Sequence, residues 1–494
     1  MKQLIDKLFN TKVSTSYMFI LFGVSALMLT GYFSYAWFTV QGVQQYSVVT
    51  GTLNGTVAIG SNSVTINGSG VITYTPSTDN DTITLTVTNT NDRTVKNSIY
   101  YYTLSDSSIE IGYTSDSSTI PTVEGVSVEQ GKTLTYKIKI KGANGKQIKI
   151  GSSMGLNNSN LTLPSGTTAF SLLSEPPATE VLVAKANPET LDYNTATTDQ
   201  KNQMWAFSHE ATEQLKATID YRYIGKNPNN YVKFNDELWR IIGVFDVDDG
   251  TGKIEKRMKI IRNGSIGNYL WDSSNEITEA GANIWSMAKL NYLINPGYET
   301  ETYGGSLYWN RKSGNCYSGK TNNTVACDFT LIGLKSTAKS MIGEAMWYLG
   351  GILPLNSSST NGRPSHFYSY ERGTTVYSKR STSWIGKVGL MYPSDYGYAT
   401  SGEHCMAREL YNWNNYSVCK DNDWLLPTSF HEYTISAGTA NIMVVFRVFS
   451  SGQVGEVPAA VKGYAVRPVV YLKSTIKITS GTGSSTDPFI LAQS

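Results

Sequence analysis

The longest apolar stretch of the chain lies close to its start. Lys2, Lys7 and Lys12 precede an uncharged run over residues 13–41, and the next Lys or Arg is Arg93. A helix needs about 20 apolar residues to cross a bilayer, and an excess of lysine marks the cytoplasmic side of such a segment. The pattern predicts an N-terminal signal or transmembrane helix, with the rest of the chain outside the cytoplasm.

Residues 1–40 leave open whether this helix is kept as an anchor or removed. Ser34 and Ala36 are small residues three and one places before the Ala36–Trp37 bond, as signal peptidase prefers. Ala36 and Trp37 therefore mark a candidate cleavage site. If the helix is kept, it binds the membrane and leaves the N-terminus in the cytoplasm.

Residues 42–173 alternate apolar and polar side chains with a period of two. The clearest examples are TITLTVT at 82–88 and TLTYKIKI at 133–140, and clusters of Gly, Asn, Asp and Ser separate such runs. Short strands of this kind, with no helical periodicity between them, are typical of an antiparallel sandwich. We predict an all-β, immunoglobulin-like sandwich that acts as a stalk.

The composition changes after this region. Residues 174–197 contain three prolines and several threonines, which favours a linker. Residues 198–215 begin with capping residues and carry spaced apolar side chains, so we predict a helix there. Residues 238–245 and 257–261 are predicted to form a hairpin, because an Asp-Asp-Gly-Thr-Gly turn lies between them.

The remaining chain mixes loops with both kinds of element. Two windows, residues 284–294 and 334–348, show helical spacing of apolar side chains. Strands are predicted towards the end, at residues 442–449, 463–472 and 476–479. We therefore expect one α+β domain over residues 198–494.

Composition adds an extracellular signature. The 494 residues have a net charge of +2 and include 44 Gly and 32 Tyr, which is typical of β-rich extracellular proteins and gives no reason to expect nucleic-acid binding. The four cysteines are Cys316, Cys327, Cys405 and Cys419. Outside the cytoplasm an even number predicts disulfides; three pairings are open, and short loops favour Cys316–Cys327 and Cys405–Cys419.

Few residue patterns point to chemistry. Residues 314–321 match the phosphate-binding pattern G-x-x-x-x-G-K-T, but no buried strand precedes them and no helix follows, so we expect no nucleotide site. Residues 246–250 resemble a calcium loop but fit the hairpin turn better. No pair of histidines has metal-ligand spacing. The histidines are His209, His366, His404 and His431. We expect no catalytic residue, metal site or cofactor.

Aromatic residues are dense in residues 269–433, among Asn, Ser and Gly. This mixture suits sugar or protein-surface binding, although most of the rings are expected to fill a core. Tyr396 and Tyr398 alternate about Gly397, which would place both on one exposed face. They are our candidate ligand-binding residues, and burial of both rings is the alternative.

Four segments of the C-terminal region carry a family resemblance. They are WRIIGV at 239–244, WIGKVGLMY at 384–392, WLLP at 424–427 and GYAVRPVVYL at 463–472. Together they resemble bacterial surface domains related to the C-type-lectin-like fold, which formylglycine-generating enzymes share. The resemblance implies a C-type-lectin-like domain over residues 198–494. It implies a fold more than an activity, since the reactive cysteine pair of those enzymes has no evident counterpart.

A second resemblance concerns the start of the chain. The sequence SYAWFT at 34–39, which follows an apolar run and precedes a β-domain, is similar to the export region of biofilm matrix proteins of the TasA and camelysin type. This resemblance implies an extracellular matrix protein.

These patterns lead to one functional expectation with two alternatives. We expect a non-enzymatic bacterial cell-surface protein, adhesin-like, whose distal disulfide-stapled head binds an extracellular glycan or protein. The first alternative is a matrix or filament subunit that assembles with copies of itself. The second is an extracellular enzyme with the formylglycine-generating fold.

Overall fold

The computed structural model describes residues 56–59, 62–65 and 71–493, except positions 79, 115–116, 159, 174–175, 274–282, 321, 355–361 and 379. The chain divides into two compact units, Met1–Glu175 and Pro176–Ser494. The predicted N-terminal helix, with Ala36 and Trp37, lies outside the described residues. Within the part of the chain that is described, no helix is long and apolar enough to span a membrane.

The described part of the first unit is built from strands alone. The strands are β1 (Thr56–Ile59), β2 (Asn62–Thr65), β3 (Val71–Tyr74), β4 (Asn80–Thr88), β5 (Val95–Tyr102), β6 (Glu110–Tyr113), β7 (Val126–Val128), β8 (Thr133–Lys141), β9 (Ile148–Leu156), β10 (Thr167–Ala169) and β11 (Ser171–Leu172). One sheet has the order β11-β6-β8-β4-β1-β2. The other has the order β10-β5-β9-β3, with β7 also paired to β5.

The two sheets of the first unit share one hydrophobic core. In β4 the apolar positions of the alternating pattern, Ile83, Leu85 and Val87, are buried between less buried threonines. Tyr136 of β8 donates a hydrogen bond of 2.8 Å to Oδ1 of Asn97 on β5, which joins one sheet to the other through the core. The prediction of a β-sandwich is confirmed at this level.

The second unit contains both strands and short helices. Its strands are β12 (Trp205–His209), β13 (Thr218–Arg222), β14 (Tyr231–Phe234), β15 (Glu237–Asp248), β16 (Ile254–Arg262), β17 (Asn268–Tyr269), β18 (Ser313–Tyr317), β19 (Thr324–Asp328), β20 (Ala345–Tyr348), β21 (Ser383–Gly386), β22 (Val388–Gly389), β23 (Glu432–Ala437), β24 (Val444–Val448), β25 (Val454–Pro458), β26 (Tyr464–Ala465), β27 (Val469–Tyr471), β28 (Ile476–Ser480) and β29 (Phe489–Gln493).

The helices that the structure describes in this unit have at most eight residues each. They are α1 (Ala178–Val183), α2 (Thr198–Lys201), α3 (Lys289–Ile294), α4 (Leu307–Asn310), α5 (Ser336–Met341), α6 (Pro364–Glu371), α7 (Pro393–Gly397) and α8 (Ser417–Lys420). Three 3-10 helices span Trp285–Met287, Cys405–Ala407 and Leu410–Asn415.

A nine-stranded sheet organises the second unit. Its main path is β22-β27-β16-β15-β14-β29-β28, and β13 joins β12 to β15. The long β15–β16 hairpin confirms the prediction, and its apolar residues from Trp239 to Phe245 are all buried. Glycine is required at position 243, where β15 pairs with β13. A Cβ at this position would lie 2.2 Å from the carbonyl oxygen of Tyr221.

A second sheet of five strands has the order β17-β26-β23-β24-β25. Strands β24 and β25 pair antiparallel along five residues, and β26 pairs parallel to β23 through Glu432 and Ala465. The strands predicted near the C-terminus are confirmed as β24, β26, β27 and β28. This sheet carries the candidate site described below.

The predicted linker, residues 174–197, is corrected by the structure. Helix α1 lies in this segment, and its Ala178 and Leu182 are buried in the core of the second unit. The boundary between the units falls at Glu175 and Pro176. The spacing of Ala178 and Leu182, four residues apart, places both on one helix face, a signal that the neighbouring prolines obscured.

The helix predicted over residues 198–215 is wrong beyond its first turn. A capping box between Thr197 and Gln200 starts α2, which ends at Lys201. Residues from Trp205 onward form β12 instead, because they pair antiparallel with β13. The other two helical windows also begin as short helices, α3 and α5, but the second one turns into strand β20.

Both disulfides have the predicted pairing. Cys316 and Cys327 join β18 to β19 across 11 residues, and Cys405 and Cys419 join a 3-10 helix to α8 across 14 residues. All four sulfur-bearing residues are buried in the core of the second unit. Each bridge therefore fastens a loop-rich excursion to the sheets.

We predict that replacing Cys405 and Cys419 together by Ala lowers the free energy of unfolding by about 3 kcal/mol. The bridge restricts the unfolded chain over a loop of 14 residues, and its loss restores that conformational entropy. Urea unfolding of the oxidised protein measures the change. An unchanged midpoint with an unchanged slope would contradict a stabilising role for this bridge.

Candidate functional site

Asp395 is the centre of a buried ion cluster in the second unit. Its carboxylate accepts from Lys259 Nζ of β16 at 2.5 Å and from Arg222 Nη1 of β13 at 3.1 Å, and Oδ2 also accepts from the backbone N–H of Tyr392 at 2.9 Å. Burial lowers the pKa of Lys259 to about 8, against the opposing pull of Asp395. Burial also raises the pKa of Asp395, but Lys259 and Arg222 outweigh it and hold that pKa below its usual value. Lys259 and Asp395 are therefore both charged at pH 7.

Asp220 extends the cluster towards His209. Arg222 Nη2 donates to Asp220 Oδ2 at 2.9 Å, and His209 Nε2 lies 3.2 Å from the same oxygen. The imidazole of His209 stacks on Tyr368 with 3.7 Å between ring centroids. Burial lowers the pKa of His209 more than Asp220 raises it, so the imidazole is neutral at pH 7.

Glu371 and Arg372 of the α6 end form the third part of the cluster. Arg372 Nη1 donates to Glu371 at 3.0 Å, and Ser394 at the start of α7 donates its backbone N–H to the same carboxyl at 2.9 Å. Burial raises the pKa of Glu371 to about 7, although Arg372 and Ser394 favour the ionised form. The guanidinium of Arg372 lies 3.6 Å from the centroid of the Tyr368 ring.

The cluster thus balances three cationic side chains with three carboxyl groups inside the unit. Their side chains are at most 4% exposed. Groups so enclosed, each beside an opposite charge, hold elements in place and do not meet a large ligand. We interpret the cluster as structural, since it connects β13, β16, α6 and α7.

The sequence-predicted binding residues, Tyr396 and Tyr398, are also interior. Their exposed fractions are 0% and 7%, so the expected exposed face is wrong. Tyr396 Oη donates to the carbonyl of Gly452 at 2.7 Å, and Tyr398 packs edge-on against Phe207. The physical reason is that residues from Pro393 form helix α7 rather than an exposed strand, and both rings turn into the core.

The phosphate-loop and calcium-loop patterns of the sequence do not form binding sites in the structure. Residues 314–317 of the phosphate-loop pattern lie in β18, a strand of the disulfide hairpin, and position 321 is outside the described residues. In the turn of the β15–β16 hairpin, Asp248 Oδ1 accepts from the backbone of Gly250 at 2.7 Å, so it caps the turn. Among the described residues no group of His, Cys, Asp or Glu has metal-binding geometry.

A cleft lies beside Trp285 and Tyr377, and its polar side chains bond to other groups of the chain. Arg380 Nε donates to Asn283 Oδ1 at 2.5 Å, and the Asn283 amide donates to the carbonyls of Asn441 at 2.9 Å and Val444 at 3.0 Å. These polar groups bind loops to one another and leave little recognition capacity for a ligand.

A different arrangement occupies one face of the five-stranded sheet. We call it the basic face and define it as His431, Arg447, Phe449, Lys462 and Tyr464. The Arg447 guanidinium lies between two rings, 4.0 Å from the centroid of Phe449 and 4.1 Å from that of Tyr464. Lys462 Nζ lies 5.8 Å from the Tyr464 centroid, and the His431 ring lies 5.9 Å from it. Three nitrogen-bearing side chains therefore surround one tyrosine ring.

Strand pairing explains how these residues meet. Arg447 faces Tyr433 across the β23–β24 pair, and Tyr464 lies on β26, the neighbour of β23 on the other side. His431 directly precedes β23 and Phe449 directly follows β24. Their rings are in edge contact, with 5.1 Å between the centroids. In the sequence, Arg447 lies in the apolar run VVFRVF at 444–449. A charged residue in such a run is unusual, but the run does not predict which residues contact it.

His431 has a defined protonation state. Its Nδ1 accepts the backbone N–H of Ser450 at 3.0 Å, which places the proton of the neutral ring on Nε2. Burial, and then the cations Arg447 and Lys462, lower the pKa of His431. The neutral imidazole of His431 therefore has one donor, the Nε2–H group.

No carboxylate balances the basic face within the described part of the chain. Arg447, Lys462 and His431 form none of its ion pairs, whereas Arg467, on the interior side of the same sheet, pairs with Glu432 at 2.6 Å. Burial lowers the pKa of Arg447, against the opposing effect of Tyr464 and Tyr433 alone. The described residues of the face thus present several donors and positive charge but no carboxylate.

Comparisons with protein-family models, with curated proteins and with solved structures found no match to this chain.

We predict that Glu371→Gln changes the pH dependence of stability. The folded-state pKa of about 7 lies above the ordinary 4.5, so the folded chain keeps a proton that the unfolded chain releases between these values. This contribution to stability is complete below pH 4.5 and is lost as pH rises through about 7. Gln mimics the protonated acid throughout that range.

The measurement is urea unfolding of wild type and E371Q between pH 4 and 8. The free energy of unfolding of the wild type should fall relative to that of the variant by on the order of 3 kcal/mol across this window. Because His209 and other groups titrate in both proteins, only the difference is informative. Parallel curves would contradict the assigned shift at Glu371.

Proposed function

We propose that this chain is a non-enzymatic, exported bacterial surface protein whose second unit binds an extracellular ligand. In this proposal the first unit is an immunoglobulin-like stalk and the second is a C-type-lectin-like head. The N-terminal segment serves as signal peptide or membrane anchor. The ligand-binding surface is the basic face.

Two observations support a location outside the cytoplasm. Both disulfides are closed, and structural disulfides persist in oxidising compartments. The lysines before the apolar run over residues 13–41 favour export of everything that follows. The two observations are independent, because the cysteines lie only in the second unit.

The lectin-like assignment is supported by the sheet of the second unit. The segments that carry the resemblance at 239–244 and 463–472 contribute β15 and β27 to one sheet, where β16 lies between them. The opening and closing parts of the unit thereby belong to one sheet, which supports the resemblance. The immunoglobulin-like assignment of the first unit has the support of its two sheets around one core.

The basic face is the observation that carries the binding function. Arg447 and Lys462 bring two cations to one tyrosine ring without a carboxylate among the described residues, so an anionic ligand would relieve their mutual repulsion. Rings on both sides hold the guanidinium rigid, which reduces the entropy lost when a ligand binds. Preorganised donors of this kind are typical of recognition surfaces.

The alternative of an enzyme with the formylglycine-generating fold has less support. A reactive cysteine pair needs a thiolate, and all four cysteines of the chain are held in disulfides. The alternative of a matrix subunit rests on the first unit. Its outermost strands, β2 and β11 in one sheet and β3 and β10 in the other, each leave an edge unpaired within its described sheets.

We predict that protease added to intact cells digests the chain beyond residue 42. The segment before this point would remain on the cytoplasmic side or in the membrane. Immunoblots with antibodies against each unit measure the loss, and a cytoplasmic protein of the same cells serves as the control. Full protection without permeabilisation contradicts the proposal.

The binding function is tested with the full chain purified in non-ionic detergent. It is applied to an array of neutral and acidic glycans and of extracellular proteins, and a reproducible signal supports the head as a binding domain. Long regular fibres in electron micrographs, together with an empty array, would favour the matrix subunit instead.

A further inference from the structure

We propose that the basic face recognises the anionic group of an acidic polysaccharide, a sulfate or a carboxylate carried on a sugar. This inference rests on the proposed function, because it names the ligand class of the surface on which that function depends. The residues involved are His431, Arg447 and Lys462, with Phe449 and Tyr464 as the aromatic support.

The chemistry of the ligand follows from the donors. Arg447 presents a planar fork of N–H groups, Lys462 an ammonium and His431 a single Nε2–H, because its Nδ1 is engaged by Ser450. A neutral sugar hydroxyl both donates and accepts, so it would use only part of this set. A sulfate or carboxylate accepts through several oxygens, and arginine binds such groups through two parallel hydrogen bonds.

The electrostatics favour the same ligand. The cations Arg447 and Lys462 each lower the pKa of His431, and no acidic residue in the described ranges acts against them there. Arg257, Arg262 and Arg467 each have a glutamate as ion-pair partner. An anion on the basic face would supply the compensation that these arginines have from within the chain.

The aromatic residues favour a sugar over a small free anion. Phe449 is partly exposed beside the Arg447 guanidinium, while Tyr464 is 8% exposed and lies beneath it. The apolar face of a sugar ring packs against an exposed aromatic ring, so a saccharide gains a second contact next to the ionic one. A bare sulfate ion gains only the ionic contact.

The disulfide hairpin adds a further cation near this face. The backbone N–H of Gly463, next to Lys462, donates to the carbonyl of Gly319 in the turn between β18 and β19, at 3.2 Å. Lys320 follows in that turn and is exposed. The Cys316–Cys327 bridge thus fixes a loop that places Lys320 beside the loop of Lys462.

The test compares Arg447→Gln with a matched control, Arg408→Gln, in the full chain. Arg408 also stacks on a tyrosine, Tyr416, at 4.6 Å, but it lies at the surface outside the basic face. Titration calorimetry uses dextran sulfate, polygalacturonate, neutral dextran of equal length, inorganic sulfate and poly(dT). Circular dichroism melts check the fold of each variant.

We expect dextran sulfate or polygalacturonate to bind the wild type and neutral dextran not to bind. Arg447→Gln should weaken this binding roughly tenfold to a hundredfold, the effect of a lost charge-assisted hydrogen bond, and Arg408→Gln should leave it unchanged. Raising the salt concentration should also weaken it, because the cations lie near the surface. If Arg447→Gln melts early, Lys462→Gln replaces it, since Lys462 is exposed.

Four results would overturn the inference. Equal loss in both arginine variants would mean that general charge, and not the basic face, attracts the polymer. Displacement by inorganic sulfate at equal sulfate concentration would assign the site to a free anion. Tighter binding of poly(dT) than of either acidic polysaccharide would assign it to nucleic acid. Binding of neutral glycans only would refute the anionic ligand and leave the proposed function intact, whereas an empty array would refute the proposed function itself.

Discussion

The arrangement of the second unit depends on the buried carboxylate of Asp395. This one group receives hydrogen bonds from β16, from β13 and from the start of α7, so each of these elements supplies a charge or dipole that the others need. A charge buried without partners costs several kcal/mol. The three elements therefore have to come together at once, and alternative packings of the same apolar residues are penalised.

This constraint extends from the core to the surface. Helix α7, positioned through Asp395, carries Tyr396, whose hydroxyl donates to Gly452 in the turn between β24 and β25. In that turn the N–H of Gly452 bonds to the carbonyl of Phe449, and Ser450 fixes the imidazole of His431. Tyr396, which the sequence suggested as a ligand contact, thus holds the turn that follows Phe449 of the basic face.

The sequence was most informative where one local pattern decided the structure. The alternation along β4 and β8, the hairpin around the Asp-Gly turn and the short cysteine spacings are each visible in a short stretch of sequence, whatever the distance to the strand partner, and each was predicted. Residues 205–209 failed as a helix because their strand partner, not their own spacing, fixes the conformation.

The basic face could not be predicted from the sequence for a related reason. His431, Arg447 and Lys462 meet only because β24, β23 and β26 lie side by side, and β26 joins parallel to β23 after a crossover. Tyr396 and Tyr398 alternate in the sequence as exposed strand residues would, yet Asp395, which precedes them both, caps a helix, and both rings turn inward. A buried charge partner more than a hundred residues away decided that outcome.

The parallel pairing of β14 with β29 has a consequence for the order of folding. Residues near position 232 meet residues near position 489, so the nine-stranded sheet is complete only after almost the whole chain is available. High contact order slows folding, because a long loop must close before the contacts that reward it form. If the chain is exported N-terminus first, as we propose, the first unit would be able to fold before the nine-stranded sheet of the second unit is complete. The two disulfides of the second unit, by contrast, close over only 11 and 14 residues. The closing strand β29 thus makes folding of the second unit depend on the last residues to be synthesised, whereas the first unit has no such requirement.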